Sequence, residues 1–291
     1  MSQESTRTLW EKQAMGPITS FFLIICTALL FLEYIIPLSH KESETEVVTF
    51  FSSPIEKWML YDFPQFYVLL DKFIYLYGFE ALQKPETLSV DGLNFYKAIS
   101  NTPYWQGFYP FVVEKGFKSL TDRQAYPPMF EKIRQGEVWR LFSPALLHGN
   151  IFHLFFNMIW LIVLGKQLEQ RMKPIAYILF ILILGVFSNT AQYLMSGPNF
   201  LGFSGVLIGM LTFIWMRQKY TPWEGYQLDR ATFIFMMAFV FGVAGLQLLS
   251  FITETTMQMA ITPNIANTAH ISGGLAGLIL GRFNLFGWRS S

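Results

Sequence analysis

Only one cysteine occurs in 291 residues, so Cys26 has no partner within the chain and no internal disulfide can form. Charge is scarce and balanced. The charged residues make up 14% of the chain and 21 Lys/Arg stand against 20 Asp/Glu, for a net charge of +1 that offers no basic surface to a nucleic acid. Histidines number four, and His148, His153 and His270 could in principle form a three-ligand zinc set. Yet there is no His-Glu-x-x-His, and no acid sits on the same turn to act as a base, so neither metal nor cofactor is expected. Acids are also rare where the chain is apolar. Glu33, near the end of the first apolar run, is the only one well inside such a run, which disfavours a Ser-His-Asp triad. The lack of paired acids and of an inverted repeat argues against a transporter.

What the chain has in abundance is apolar and aromatic surface, 52% and 18% of its residues. Those values exceed ordinary soluble usage and imply an all-α polytopic membrane protein. Apolar runs at 17–37, 151–168, 174–196, 204–218, 231–253 and 265–283 predict six transmembrane helices. The first run is longer than the apolar part of a secretion signal and no small-x-small cleavage site follows it, so it is expected to remain as a helix. Lys and Arg collect on one side: Arg7 and Lys12, then Lys166, Arg171 and Lys173, then Arg217, Lys219 and Arg230, and finally Arg282 and Arg289. The turns near 197–203 and 254–264 carry none, which predicts that both termini are cytoplasmic.

The expected organisation is a cytoplasmic tail at 1–16, a first transmembrane helix at 17–37, an extracytoplasmic insertion at 38–147, a helical core at 148–284 and a tail at 285–291. The insertion carries 11 Lys/Arg and 13 Asp/Glu. Its segment 64–83 is apolar and aromatic but interrupted by Asp71-Lys72, which suits either a helix lying at the membrane interface or one packed in a small subdomain.

Polar residues that can do chemistry fall inside the apolar runs, where each is expensive to keep. Gly202-Phe203-Ser204-Gly205 opens the fourth run, whose apolar part from Gly205 to Met216 is 12 residues long. At about 1.5 Å per residue it spans roughly 18 Å, so Ser204 would lie some 10 Å below the outer surface at a helix N-terminus. A serine there can be simply a helix cap, or a nucleophile beside unpaired backbone N–H groups. His270 starts the last run, and Gly273 and Gly277 after it match Gly205 and Gly209, small residues that let two helices approach closely. Close approach would let the serine hydroxyl reach the imidazole, as general-base activation requires. In the second run Gly149-Asn150 reads as a turn and cap, and His153 and Asn157, four apart, share a helix face. Both can donate hydrogen bonds to an oxyanion. A cavity lined by Ser204, His148, His153, Asn157 and His270, together with Gly202 and Phe203, is expected to open outward. The segments 197–203 and 254–266 would form its rim and a movable cap.

Trp139-Arg140, His148, His153, Asn157, Glu169-Gln170-Arg171, Gly202-Phe203-Ser204-Gly205 and Ala269-His270 with Gly273 and Gly277 together resemble the rhomboid intramembrane serine proteases, over roughly 135–283. The resemblance implies a six-helix bundle that hydrolyses peptide bonds in or near the transmembrane segments of other proteins. Ser204 would be the nucleophile, His270 the general base and acid, and His153, Asn157 and the Ser204 backbone N–H the oxyanion hole. Many members carry a tyrosine four residues after the serine, where this chain has Ile208. The alternative is a silent rhomboid-like protein that binds membrane clients without cutting them.

Overall fold

The computed structural model describes residues 15–39, 53–257 and 267–286, and no strand occurs among them. Six long helices carry the molecule. They are α1 (Pro17–Ser39), α2 (Ile151–Arg171), α3 (Pro174–Ser196), α4 (Ser204–Tyr220), α5 (Arg230–Met257) and α6 (Asn267–Arg282). Within α2, a π-helical stretch at Leu161–Gly165 separates Ile151–Trp160 from Lys166–Arg171.

Four of these helices, α1, α2, α3 and α5, are long and apolar enough to cross a membrane. The remaining two are shorter, with 17 residues in α4 and 16 in α6. For α4, its place explains the shorter apolar length. Every residue of α4 from Gly205 to Ile214 is buried, so this helix is surrounded by protein rather than lipid. By contrast α1 and α5 expose Phe21, Ile24, Phe31, Phe235, Phe239 and Leu249, as helices facing hydrocarbon do.

One expectation needs correction here. The apolar run of the fourth segment stops at Met216, but the helix continues to Tyr220 with Arg217 buried inside it. The guanidinium is paired with the equally buried carboxylate of Glu224, in addition to donating to the Phe283 carbonyl. A charge partnered this way can stay in a helix that composition alone would end. At 17 residues, about 26 Å, α4 falls only ~4 Å short of a hydrocarbon core of about 30 Å, so helix length no longer requires a recess of 10 Å at Ser204.

The two charged motifs of the core have structural work. Glu169 of α2 accepts from the backbone N–H groups of Ile18 (2.7 Å) and Thr19 (2.9 Å), capping the first turn of α1 where an anion is favoured. Arg171 donates to the carbonyls of Gln167, Glu224 and Gly225, tying α2 to the α4–α5 connection.

Residues 53–147 form a set of short helices, chiefly Pro54–Met59, Gln65–Tyr77, Val90–Ser100 and Phe108–Lys115. Helix 65–77 buries Tyr67, Leu70, Asp71, Phe73 and Ile74, and Phe73 packs against Phe95 and Tyr96 of helix 90–100. Asp71, which interrupts the apolar sequence, forms an ion pair with Lys57 at 3.0 Å. The segment therefore packs as part of a subdomain, while Val68, Tyr75 and Leu76 on its other side stay exposed.

This insertion is fastened to the bundle. Trp139 Nε1 donates to the Trp58 carbonyl and Arg140 donates to the carbonyls of Lys57 and Leu60, so the Trp-Arg pair clamps the end of helix 54–59. Tyr61 stacks on Tyr193 of α3 at 4.7 Å, Tyr193 donates to buried Asp62, and Trp105 Nε1 donates to the Tyr193 carbonyl. Tyr109 meets Phe251 of α5 edge to face at 5.2 Å. A cavity of about 560 Å³ within the insertion is lined by Tyr104, Trp105, Phe111 and Tyr126 and includes none of the candidate site residues.

Candidate active site

α4 and α6 run against each other along their glycines. A Cβ added to Gly273 would collide with the Gly205 carbonyl, and one added to Gly277 with the Gly209 carbonyl and Thr212 Oγ1. Reciprocally, a Cβ on Gly209 would lie 2.9 Å from the Gly273 oxygen. The backbones are thus in direct contact, as the spacing of these four glycines predicts. Thr212 Oγ1 adds a hydrogen bond to the Gly274 carbonyl at 2.8 Å.

This approach brings the first residue of α4 to the first turn of α6. Ser204 Oγ lies 2.7 Å from His270 Nε2, a hydrogen bond between residues 66 apart in sequence. The serine side chain is not used as a helix cap, since the residue before the helix is Phe203 and α4 has no side-chain cap. Phe203 is fully buried and packs on Phe22 of α1 at 5.6 Å, which anchors the turn below the serine.

His153 and Asn157 enter from α2. The helix starts where expected, with Asn150 Oδ1 accepting from the His153 backbone N–H at 2.9 Å. The His153 imidazole lies over Gly202, whose φ of +119° and lack of a side chain are both needed, because a Cβ there would stand 2.7 Å from His153 Nε2. The Gly202 N–H donates to the Pro144 carbonyl at 3.0 Å, holding the strained turn in place. Asn157 Nδ2 uses one hydrogen on the His153 carbonyl at 2.8 Å and retains the other.

Ser204, His270, His153 and Asn157 share the lining of one cavity of about 490 Å³. The rest of its wall is apolar: Phe156 and Trp160 of α2, Leu207 and Ile208 of α4, and Phe235, Met236, Phe239 and Val240 of α5. Phe156, Phe235 and Phe239 are more than half exposed, so the mouth lies sideways between α2 and α5. Ile208, four residues after the serine, packs toward Gly274 one turn after His270.

Three residues expected in the lining are elsewhere. His148 is fully buried behind His153, ring to ring at 5.1 Å, with Nδ1 3.3 Å from the Leu146 carbonyl. Gly202 lies beneath the His153 ring, and Phe203 is in the core. Of the anticipated rim, 197–203 forms the turn before α4; of the anticipated cap at 254–266, residues 254–257 continue α5 and 258–266 lie outside the described residues. Sequence reading missed the α5 aromatics as cavity residues, because α5 is apolar all round and no period marks which face turns inward.

Three further hydrogen bonds fix the first turn of α6. Gln192 Oε1 of α3 accepts from the Ala269 N–H at 3.0 Å, and Asn267 Nδ2 donates to Gln247 Oε1 (2.8 Å) and to the Val243 carbonyl (3.1 Å), both on α5.

An all-helical integral membrane protein in which a serine on one helix meets a histidine on another defines the class. The rhomboid-domain family model matches residues 135–285, more than half of the chain, and the chain belongs to the rhomboid family. It is 32% identical over 148 residues to the rhomboid protease GlpG of Yersinia pestis (strain Pestoides F), a match that covers 50% of this chain and 47% of the relative. A second relative, the rhomboid protease GlpG of Yersinia enterocolitica serotype O:8, is 30% identical, also over 148 residues, which cover 50% of this chain and 47% of the relative. The chain thus spans about half the length of the curated relatives it matches.

Proposed function

We propose that this protein is an intramembrane serine endopeptidase that hydrolyses peptide bonds in or near the transmembrane segments of other membrane proteins through a Ser204–His270 dyad. The observation that carries this reading is the 2.7 Å bond from Ser204 Oγ to His270 Nε2 at the wall of a cavity that opens sideways. His270 Nε2 takes the hydroxyl proton as Ser204 Oγ attacks the scissile carbonyl. It then returns the proton to the leaving amine, and water hydrolyses the acyl-enzyme by the same steps in reverse order. The oxyanion is met by the Ser204 backbone N–H at the start of α4, by His153 and by the remaining Asn157 hydrogen.

The apolar mouth between α2 and α5 suits a partner that arrives from the bilayer. Its peptide bond must unwind first, because a helical carbonyl is already hydrogen-bonded, and small or helix-weakening residues ease that step. Residues 148–284 would form the catalytic core and 38–147 an extracytoplasmic accessory segment.

Incubation of purified protein with a fluorophosphonate probe tests the reading. Covalent labelling at Ser204 is expected, and its absence in folded protein, with transmembrane clients still captured, would favour the silent client-binding alternative.

The oxyanion assignment makes its own prediction. His153→Ala or Asn157→Ala should lower kcat by about 10²–10³, the usual loss for one such donor. Single-turnover cleavage of a reconstituted transmembrane substrate reads it. Wild-type rates in both variants would remove these side chains from the mechanism.

The bacterial relatives support a bacterial plasma-membrane protein, and the Lys/Arg asymmetry supports both termini in the cytoplasm. In a Cys26→Ser background, Asn101→Cys or Asn199→Cys should react with an impermeant maleimide added to intact cells, and Lys219→Cys should not. The reverse pattern overturns the orientation.

A further inference from the structure

The imidazole of His270 has no hydrogen-bonding partner at Nδ1 among the described residues, so no third side chain orients the ring as an acid would. Nor does an aromatic occupy position 208 beneath it. Its aim at Ser204 must therefore come from the placement of α6, which the glycine contact with α4 sets along the helix and which glutamines on two other helices hold at its first turn. Gln192 receives the Ala269 N–H. Gln247 receives one hydrogen of the Asn267 amide, while the Val243 carbonyl receives the other. Asn267 is buried, only 2% exposed, so its amide has little access to water if these acceptors are lost.

Gln247 sits on α5, the helix that supplies Phe235, Met236, Phe239 and Val240 to the cavity wall. Few α5 side chains are buried, with 11% of its most apolar stretch inside the structure. It is therefore weakly packed, and polar contacts are a large part of what fixes it against α6. We infer that Gln247 is a positioning residue for the dyad: its side-chain oxygen holds Asn267, and through the first turn of α6 sets the His270 ring against Ser204. The same contact couples the α5 wall to the chemistry.

This inference rests on the proposed Ser204–His270 chemistry, so its test has one readout that does not depend on catalysis. Gln247→Leu and Gln247→Glu would be compared with wild type in detergent micelles, the carboxyl of the second keeping an acceptor oxygen in either protonation state. Hydrogen exchange across residues 267–275 should rise at least about tenfold in Gln247→Leu and return toward wild type in Gln247→Glu. Fluorophosphonate labelling of Ser204 and kcat for a reconstituted transmembrane substrate should fall in parallel by about tenfold, with KM little changed. Should Gln247→Leu not remain monodisperse, Gln247→Met, equal in length but without the oxygen, takes its place. Unchanged exchange in the apolar variant, or a Gln247→Glu protein as impaired as it, overturns the positioning role. A wild type that shows the protected turn yet fails to label with the probe overturns the proposed chemistry instead.

Discussion

Ser204→Ala and His270→Ala are each expected to abolish cleavage of a reconstituted transmembrane substrate, and the double variant should be no slower than either single one. In the proposed dyad nucleophile and base act as one unit: once the hydroxyl has no acceptor for its proton, or the acceptor no hydroxyl to serve, the attack that both share is lost. The starting geometry is favourable, with Oγ and Nε2 already at 2.7 Å, so no rearrangement at the pair has to precede attack. Residual activity in either variant would come from donors aimed at the oxyanion and would be small beside wild type. The comparison is made on purified protein, free of contaminating proteases, at matched monodispersity. Wild-type cleavage by Ser204→Ala would sink the dyad. Losses that multiply in the double variant would show that the two residues contribute separately.

A loss of both stability and labelling is expected from single methyl groups added between α4 and α6. In Gly277→Ala the new carbon would be driven into the Gly209 carbonyl and the Thr212 hydroxyl, and in Gly273→Ala into the Gly205 carbonyl. The two carbonyls are backbone atoms, which cannot rotate away as a flexible side chain does, and Thr212 Oγ1 is held by its bond to the Gly274 carbonyl. Overpacking of this kind typically destabilises by about 1–3 kcal/mol, and backbone collisions belong at the upper end. Function should suffer more than stability. Separating the helices by even part of an ångström lengthens the Ser204–His270 bond, so probe labelling should fall at least about tenfold where most of the protein remains folded. Gly242→Ala on α5 is the control. No atom lies within 4 Å of its added carbon, and a helix interior generally gains about 0.5–1 kcal/mol from that change. Thermal melting in detergent together with labelling rates separates the two classes. If Gly277→Ala melts and labels like Gly242→Ala, the close packing of α4 on α6 is not what aligns the site.

Local chemistry made much of this protein legible from its sequence. Composition imposes the membrane, since so much apolar surface has no other place to go, and in lipid a helix satisfies its own backbone. Asn150 declares the start of α2 because an amide oxygen is there to receive an orphan N–H. The glycines at 205, 209, 273 and 277 announce a close crossing because nothing larger fits. Ser204 and His270 stand out because polar side chains in apolar runs are costly to retain. Tertiary structure decided what depends on a distant partner. Arg217 reads as the end of a helix until Glu224, seven residues on and past a turn, neutralises it inside the protein. Asp71 reads as an interruption until Lys57 pairs with it. His148 and His153 look alike in sequence, yet one is buried behind the other and only one reaches the cavity. The α5 wall and the grip of Gln247 on Asn267 left no periodic trace, because lipid accepts the same side chains as a protein interior and so does not mark the inward face.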